Sequence, residues 1–334
     1  MKALTAGQKI SSKLAVATFV SVFLLILVGA TVRITGAGMG CPDWPTCFGR
    51  IIPPTDISQL PANYKELYAK PGIEIADFNP LHTWIEYCNR LFSAVITGPI
   101  AIAFAISSFS WWKRDRSFVL YAFVIIGLIG FEAWLGKEVV ASNLKSAKIT
   151  THLVMAMVIL TLSLFTALKA LKVSGKDRLQ ALPKHFSAPL YMGFILLVIQ
   201  ILLGTYVRGE VDAIADASGE AMRGSWLLSA NKYFPVHRLF TYIVLACYIW
   251  LAVKMLQHKD QFSKWVFIGF AAGLAGQLFS AVLLVYFGYP AVAQLLHLTF
   301  AMILFSCHVY LMGRQWLSTQ PAAEEIGLNK VKYA

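Results

Sequence analysis

Charge is what this chain has least of. Asp, Glu, Lys and Arg make up 14% of its 334 residues, where a soluble domain carries roughly a quarter. A surface built for water is thereby excluded. Short alternating strands are missing too, because the apolar stretches run to roughly 18 residues or more. That excludes an outer-membrane barrel, whose strands are about 10 residues long and alternate. No small-residue cleavage site follows the first apolar run, Leu14–Val32, which is also too long for the core of a signal peptide. It is therefore expected to remain as a helix. Cysteine is rare, with five in all, so no disulfide or zinc framework carries the fold.

What is present is a succession of eight apolar runs, each long enough to cross about 30 Å of hydrocarbon as a helix. The expected spans are 14–34, 84–108, 117–138, 148–171, 187–208, 235–256, 264–287 and 291–313. The fold class is thus an all-α integral membrane protein. A net charge of +12 would suit a nucleic-acid partner if the basic residues formed a patch, but they do not. Lys2, Lys9 and Lys13 precede span 1, and Lys113, Arg114 and Arg116 separate spans 2 and 3. Lys169, Lys172, Lys176, Arg178 and Lys184 follow span 4, Lys254, Lys259 and Lys264 separate spans 6 and 7, and Arg314, Lys330 and Lys332 follow span 8. More than half of the 29 Lys and Arg therefore fall on one side. The positive-inside rule makes that side the cytoplasm, with both termini there and the membrane the inner (plasma) membrane. No nucleic acid is expected.

The spans repeat. Span 1 ends Val28-Gly29-Ala30-Thr31-Val32-Arg33, and span 5 ends Leu203-Gly204-Thr205-Tyr206-Val207-Arg208. Asn89-Arg90-Leu91-Phe92 in span 2 matches His237-Arg238-Leu239-Phe240 in span 6. Gly127-Leu128-Ile129-Gly130 in span 3 matches Gly273-Leu274-Ala275-Gly276 in span 7. His152-Leu153 in span 4 matches His297-Leu298 in span 8. Matches in the same order imply two parallel four-helix halves, 1–172 and 173–334, the first enlarged by a long external loop at 35–83.

Ionisable groups inside a membrane are costly and usually functional. His237 and His297 fall at the same depth in the second half. Two imidazoles from facing helices suit axial ligation of haem iron; two polar residues bonded across helices are the bland alternative. The first half keeps His152 but has Asn89 where His237 stands. Glu86 lies one turn outward from Asn89 and His82 two turns outward, so His82 is a displaced candidate ligand. Glu86 is also placed for an ion pair with Arg90. Arg33, Arg90, Arg208 and Arg238 sit near the external interface, suited to clamping propionates or to snorkelling toward lipid phosphates. Glu132 and its counterpart Gln277 precede His152 and His297 by equal distances. Glu132 reads as a proton carrier or as an interhelical hydrogen bond. His308 reads as a packed or snorkelling residue, and His185 and His258 fall in cytoplasmic loops. Cys88, Cys247 and Cys307 behave as small hydrophobes.

The external loop opens Thr35-Gly36-Ala37-Gly38-Met39-Gly40-Cys41-Pro42-Asp43-Trp44-Pro45-Thr46-Cys47-Phe48-Gly49-Arg50. Its glycines and prolines imply a folded lid. Facing an oxidising space, Cys41 and Cys47 are permitted a disulfide, structural or redox-responsive. They offer too few ligands for a metal, and the Cys-x-x-Cys-His haem-attachment signature is absent.

With these residues identified, the chain resembles the haem A synthase family over about residues 14–313. The likeness rests on Arg33-x-Thr35-Gly36-x-Gly38, Cys41-Pro42-x-Trp44-Pro45-x-Cys47-x-Gly49, Glu86-Tyr87-x-x-Arg90, His152, His237-Arg238 and His297. The resemblance implies oxidation of the C8 methyl of haem O to a formyl group, giving haem A for terminal oxidases. It places a haem b cofactor on His237 and His297, to which Arg208 and Arg238, read above as propionate clamps, would belong. It places the substrate haem on His152 with Glu86 as the essential carboxylate, and the residues read above as its surroundings are Asn89, His82, Arg33 and Arg90. Cys41 and Cys47 match the family's paired loop cysteines. Asn89 departs from the commoner Glu-x-x-His-Arg pattern, leaving the substrate on His152 alone or on His152 with His82. The partners implied are haem O, an external electron donor, haem O synthase and cytochrome oxidase assembly factors, with a homo-oligomer allowed. The competing readings are a di-haem b-type electron-transfer cytochrome and a membrane haem transporter or assembly protein.

Overall fold

The computed structural model describes residues 3–69, 75, 77–174, 182–183, 186–257 and 264–319. His185 and His258, and the basic residues Lys2, Lys176, Arg178, Lys184, Lys259, Lys330 and Lys332, lie outside the described residues. Eight helices among them are long and apolar enough to cross a membrane. They are α1 (Ala6–Ile34), α2 (Pro80–Trp111), α3 (Arg116–Ala141), α4 (Ser146–Ser174), α5 (Ser187–Ser218), α6 (Phe234–Gln257), α7 (Lys264–Tyr286) and α8 (Ala291–Thr319). Each expected span is met by one helix, and this is a multi-pass membrane protein.

The helices overrun the apolar spans because capping, not hydropathy, decides where a helix starts. Thr5 and Gln8 form a reciprocal capping box eight residues or so before the apolar run of α1 begins. Asn79 caps α2, with Pro80 in its first turn, and Asp115 caps α3. The largest overrun is in α5, which continues past Arg208 through Gly209–Ser218. That stretch is too acidic for hydrocarbon but contains good helix formers, so the helix projects about 15 Å beyond its expected end.

α2 is not uniform. Phe92–Thr97 winds as a wider π turn just before Gly98-Pro99. Proline has no N–H to close the regular ladder and its ring crowds the preceding turn, so the backbone relaxes there.

Packing follows small residues and shared apolar faces. Among the described residues α1, α2, α3 and α4 close a ring in which each helix packs on the next. In the second set α5 packs on α6 and α8, and α8 on α7, while α6 and α7 make at most marginal contact. α4 and α8 pack together at the centre, α1 also meets α8, and Thr150 meets Thr205 at 3.1 Å between α4 and α5. One apolar cluster runs across this seam, with Val22, Met157, Leu160, Leu197, Tyr248 and Met302 in its core. Serine and threonine hydroxyls inside the helices bond back to carbonyls of the preceding turn, as Thr18 does to Leu14, so no water is needed.

The repeated glycines behave differently in the two halves. A Cβ on Gly276 would lie 2.4 Å from the Phe300 ring, and one on Gly273 2.7 Å from Leu304, so α7 and α8 need both glycines to approach. A Cβ on the matching Gly127 or Gly130 would meet nothing within 4 Å. We therefore expect Gly276→Ala to destabilise the protein by about 1–3 kcal/mol through overpacking, and Gly130→Ala to leave its stability unchanged. Thermal unfolding of the two variants in the same detergent checks this contrast.

Candidate functional site

At the end of the bundle from which residues 35–69 project, a lid sits on the start of α2. Gly36 takes a left-handed conformation and starts a 3-10 turn, Ala37–Met39. At Gly40 any side chain is excluded, since a Cβ would lie 2.5 Å from the His82 carbonyl oxygen. That approach lets Thr83 donate to the Gly40 carbonyl (2.9 Å). Cys41 and Cys47 are joined by a disulfide, with Cα atoms 4.9 Å apart. The Asp43 carboxylate accepts from the backbone N–H groups of Phe48 (2.6 Å) and Gly49 (2.9 Å) and from the Thr46 hydroxyl. Phe48, Tyr64, Tyr68, Phe78 and Tyr87 pack on the disulfide as a small aromatic core. Burial raises the Tyr68 phenol above its ordinary pKa, and the nearby Asp43 charge adds to this.

Glu86 and Arg90 join the lid to α2. The two form an ion pair one helical turn apart, with side chains only 5% and 13% exposed. The other carboxylate oxygen of Glu86 accepts from Cys41 N–H (2.8 Å). Arg90 donates to the carbonyls of Asp43 (2.6 Å), Thr46 (2.9 Å) and Cys41 (3.3 Å). A guanidinium presents five N–H groups in a fixed fork, and this one is directed at the lid backbone. Spacing alone suggested the Glu86–Arg90 pair; nothing in the sequence revealed that it clasps the disulfide loop.

The histidines line two separate sites. In the first half, His152 Nδ1 stands 3.0 Å from Glu132 Oε1 on α3. Gly136, one turn further along α3, leaves room for the ring, since a Cβ there would lie 3.4 Å from His152 Cε1. Asn89 faces Gly29, and its Oδ1 is buried with no hydrogen-bond partner among the described residues. His82 lies in the first turn of α2 beside Gly36, and no contact among the described residues brings it to His152.

In the second half, His237 faces Gly204 as Asn89 faces Gly29, the same pairing in repeat-related positions. His237 and His297 are close enough to interact electrostatically. Ser280 Oγ lies 3.0 Å from His297 Nδ1 and donates its own proton to the Gly276 carbonyl (2.7 Å). The hydroxyl must then accept from Nδ1–H, which leaves the His297 Nε2 lone pair free for a metal. Gln277 donates to the His297 backbone carbonyl (2.7 Å). On the other side Gln200 holds Thr241 (2.7 Å), the His237 carbonyl (3.1 Å) and His237 Nε2 (3.3 Å). His237 Nδ1 and Gln200 Oε1 are buried without partners among the described residues. Such incompletely satisfied nitrogen and oxygen atoms leave hydrogen-bonding capacity that a ligand could use.

The four arginines have diverged. Arg33 of α1 and Arg208 of α5 share Asp212, each 2.7 Å from a different carboxylate oxygen. Arg208 also reaches Gln294 and lies over the Tyr289 ring. Arg238 is exposed on the outer face of α6, beside Phe234, Pro235, Leu239 and Tyr242. His308 does not snorkel. It is fully buried, with Nδ1 2.9 Å from the Tyr248 hydroxyl. Asp212, Gln200 and Ser280 were missed from sequence. Asp212 was legible as an i,i+4 partner of Arg208, and Ser280 as a neighbour of Gln277 on one helix face. Gln200 was a single amide in an apolar run.

Arg90→Ala leaves the Glu86 carboxylate buried without its counter-charge, a change that costs about 3–5 kcal/mol for a buried pair. The expected outcome is a loosened lid: amides 40–50 exchange faster with deuterium, and the Cys41–Cys47 bond reduces at lower dithiothreitol, while the far helix ends keep their protection.

A family model described as a cytochrome oxidase assembly protein, COX15-CtaA, matches residues 12–309. Proteins named heme A synthase are similar along the chain. The one from Shewanella oneidensis is 28% identical over 63% of this chain and 60% of its own length. That from Rhizorhabdus wittichii is 27% identical over 62% of each, and that from Alkalihalophilus pseudofirmus 26% identical over 89% of this chain and 94% of its own. The match thus spans about three fifths of the first two relatives and nearly all of the third. With eight membrane helices, a disulfide lid and paired interior histidines, the chain belongs to the COX15-CtaA family of cytochrome oxidase assembly proteins.

Proposed function

We propose that this protein oxidises the C8 methyl of haem O to the formyl group of haem A: two hydroxylations, each taking one oxygen atom from a dioxygen molecule whose other atom leaves as water with two electrons from an external donor, and then loss of water from the geminal diol. The observation that carries this reading is the unequal pair of histidine sites. One presents two imidazoles beside neutral partners; the other has one imidazole beside a carboxylate, and an asparagine at the position matching the second imidazole. A plain electron-transfer cytochrome would call for two alike.

The second half, 173–334, fits haem b. His297 offers Nε2 with its other nitrogen tied to Ser280, and His237 stands across from it with an unsatisfied nitrogen. Haem b bound there supplies one-electron redox chemistry, which side chains alone do not. Arg208 and Arg238 lie at the same end as these histidines, where carboxylate groups of a porphyrin would be anchored. The first half, 1–172, takes the substrate haem on His152. Asn89 is a poor iron ligand, and His82 belongs to the lid, so the substrate rests on one histidine. Glu86 acts through its grip on Cys41 and Arg90, holding the lid that fixes the reacting edge of the substrate and keeps water from it. Arg33 serves the substrate half as Arg208 serves the cofactor half. The Cys41–Cys47 bond is structural in this scheme.

The lid end faces outward and both termini face the cytoplasm. In support, Lys113, Arg116, Lys172, Lys254 and Arg314 all lie at the helix ends opposite the lid. Haem O reaches the first half from a haem O synthase, electrons come from an external donor, and the product passes to cytochrome oxidase assembly.

Protein purified from cells making haem O is expected to show a low-spin b-type spectrum, lost in His237→Ala and in His297→Ala. Extracted pigment should include a farnesylated formyl haem. Haem b bound without any aldehyde-bearing product, given haem O and reductant, overturns the proposal. Separately, Asn89→His should convert the substrate haem from high-spin to six-coordinate low-spin, as read by electron paramagnetic resonance.

A further inference from the structure

Repeat-related positions treat their histidines differently, and the difference lies outside the iron ligands themselves. In the second half Gln277 binds the His297 backbone carbonyl, and Ser280, three residues on, takes Nδ1. In the first half the equivalents are Glu132 and Leu135. Leu135 is buried and has no polar atom, and Glu132 itself stands 3.0 Å from His152 Nδ1. The Nδ1 partner is thereby changed from a neutral hydroxyl to a carboxyl group. The other oxygen of Glu132, Oε2, is buried with no partner among the described residues. No other ion pair among the described residues joins His152. Gly136, one turn along α3, lies against the same ring, since a Cβ there would stand 3.4 Å from His152 Cε1.

We propose that Glu132 is the positioning residue of the substrate site: its carboxylate accepts from His152 Nδ1–H, fixes the tautomer that presents Nε2, and makes that imidazole the stronger electron donor of the two halves. The inference rests on His152 being the ligand of the substrate haem. A hydrogen-bonded carboxylate raises the basicity of a ligating histidine and locks its orientation, and losing such a partner typically lowers metal affinity by about 10–100-fold. An electron-rich axial ligand favours oxygen activation over simple electron transfer, which matches the half assigned to the reaction. Ser280, a neutral acceptor, leaves His297 the weaker donor suited to a redox relay. The sequence alone left Glu132 between a proton carrier and an interhelical bond; the 3.0 Å separation from His152 Nδ1 supports the second.

The test uses full-length protein co-expressed with a haem O synthase, its substrate haem monitored by resonance Raman spectroscopy in the ferrous state. Glu132→Gln keeps the shape and removes the charge, and its iron–histidine stretching band should move to lower frequency than in the parent protein. Glu132→Leu should also lose about 10-fold or more in haem O retained through purification. The low-spin haem b spectrum, unchanged in both, reports that the fold is intact. An unmoved band in Glu132→Gln overturns the positioning role. His152→Ala separates this from the underlying assignment: loss of the band there keeps His152 as the ligand, whereas an unchanged band shows that the substrate is held elsewhere and both readings fall.

Discussion

Inside a bilayer no solvent is on hand to complete a hydrogen bond, so every polar group must find its partner within the protein. That constraint organises this molecule. Serine and threonine hydroxyls fold back on their own helices, Glu86 meets Arg90, and His308 meets Tyr248. Not every buried atom is so matched. Among those without a hydrogen-bond partner in the described residues are Asn89 Oδ1, Glu132 Oε2, His237 Nδ1 and Gln200 Oε1. These four belong to side chains around the interior histidines, while others, such as Ser11 Oγ and Trp111 Nε1, lie elsewhere.

Sequence motifs recur in the first and second sets of four helices, and side-chain differences give them different polar partners. Gly29 and Gly204 make room for Asn89 and His237 in the same way. Yet one position retains an imidazole and the other carries an amide. Helix packing diverges as well. The first four helices close on one another, while α6 and α7 stay largely apart, beside the His237 site. A symmetric pair would make a conductor of electrons. The proposed division into a redox half and a reacting half follows from the asymmetry.

The lid shows how charge that is costly in a membrane is made structural. Glu86 and Arg90 are almost fully enclosed, and an enclosed pair is stable only if its remaining hydrogen-bonding capacity is met. The backbone of the loop from Cys41 to Thr46 meets it. Asp212 plays a comparable part at the seam, where one carboxylate holds Arg33 from the first half and Arg208 from the second. The two sets of helices are therefore tied at the same end that carries the lid.

Hydropathy and the repeat were sufficient to place all eight helices, because a run of apolar residues of bilayer length has few other fates. They also singled out His152, His237 and His297, since imidazoles recurring at matched depths in an apolar sequence need a reason to be there. The Glu86–Arg90 pair was legible from i,i+4 spacing, and a disulfide between Cys41 and Cys47 from their place in one short loop. Helix ends were not, because α5 runs on through Gly209–Ser218 on propensity where hydropathy fails. Nor were the partners that tune the site. Whether Glu132 would meet His152, Ser280 meet His297, or Arg33 share Asp212 with Arg208 depends on how separate helices rotate and pack, and those contacts form only once the tertiary structure sets each helix face against its neighbour.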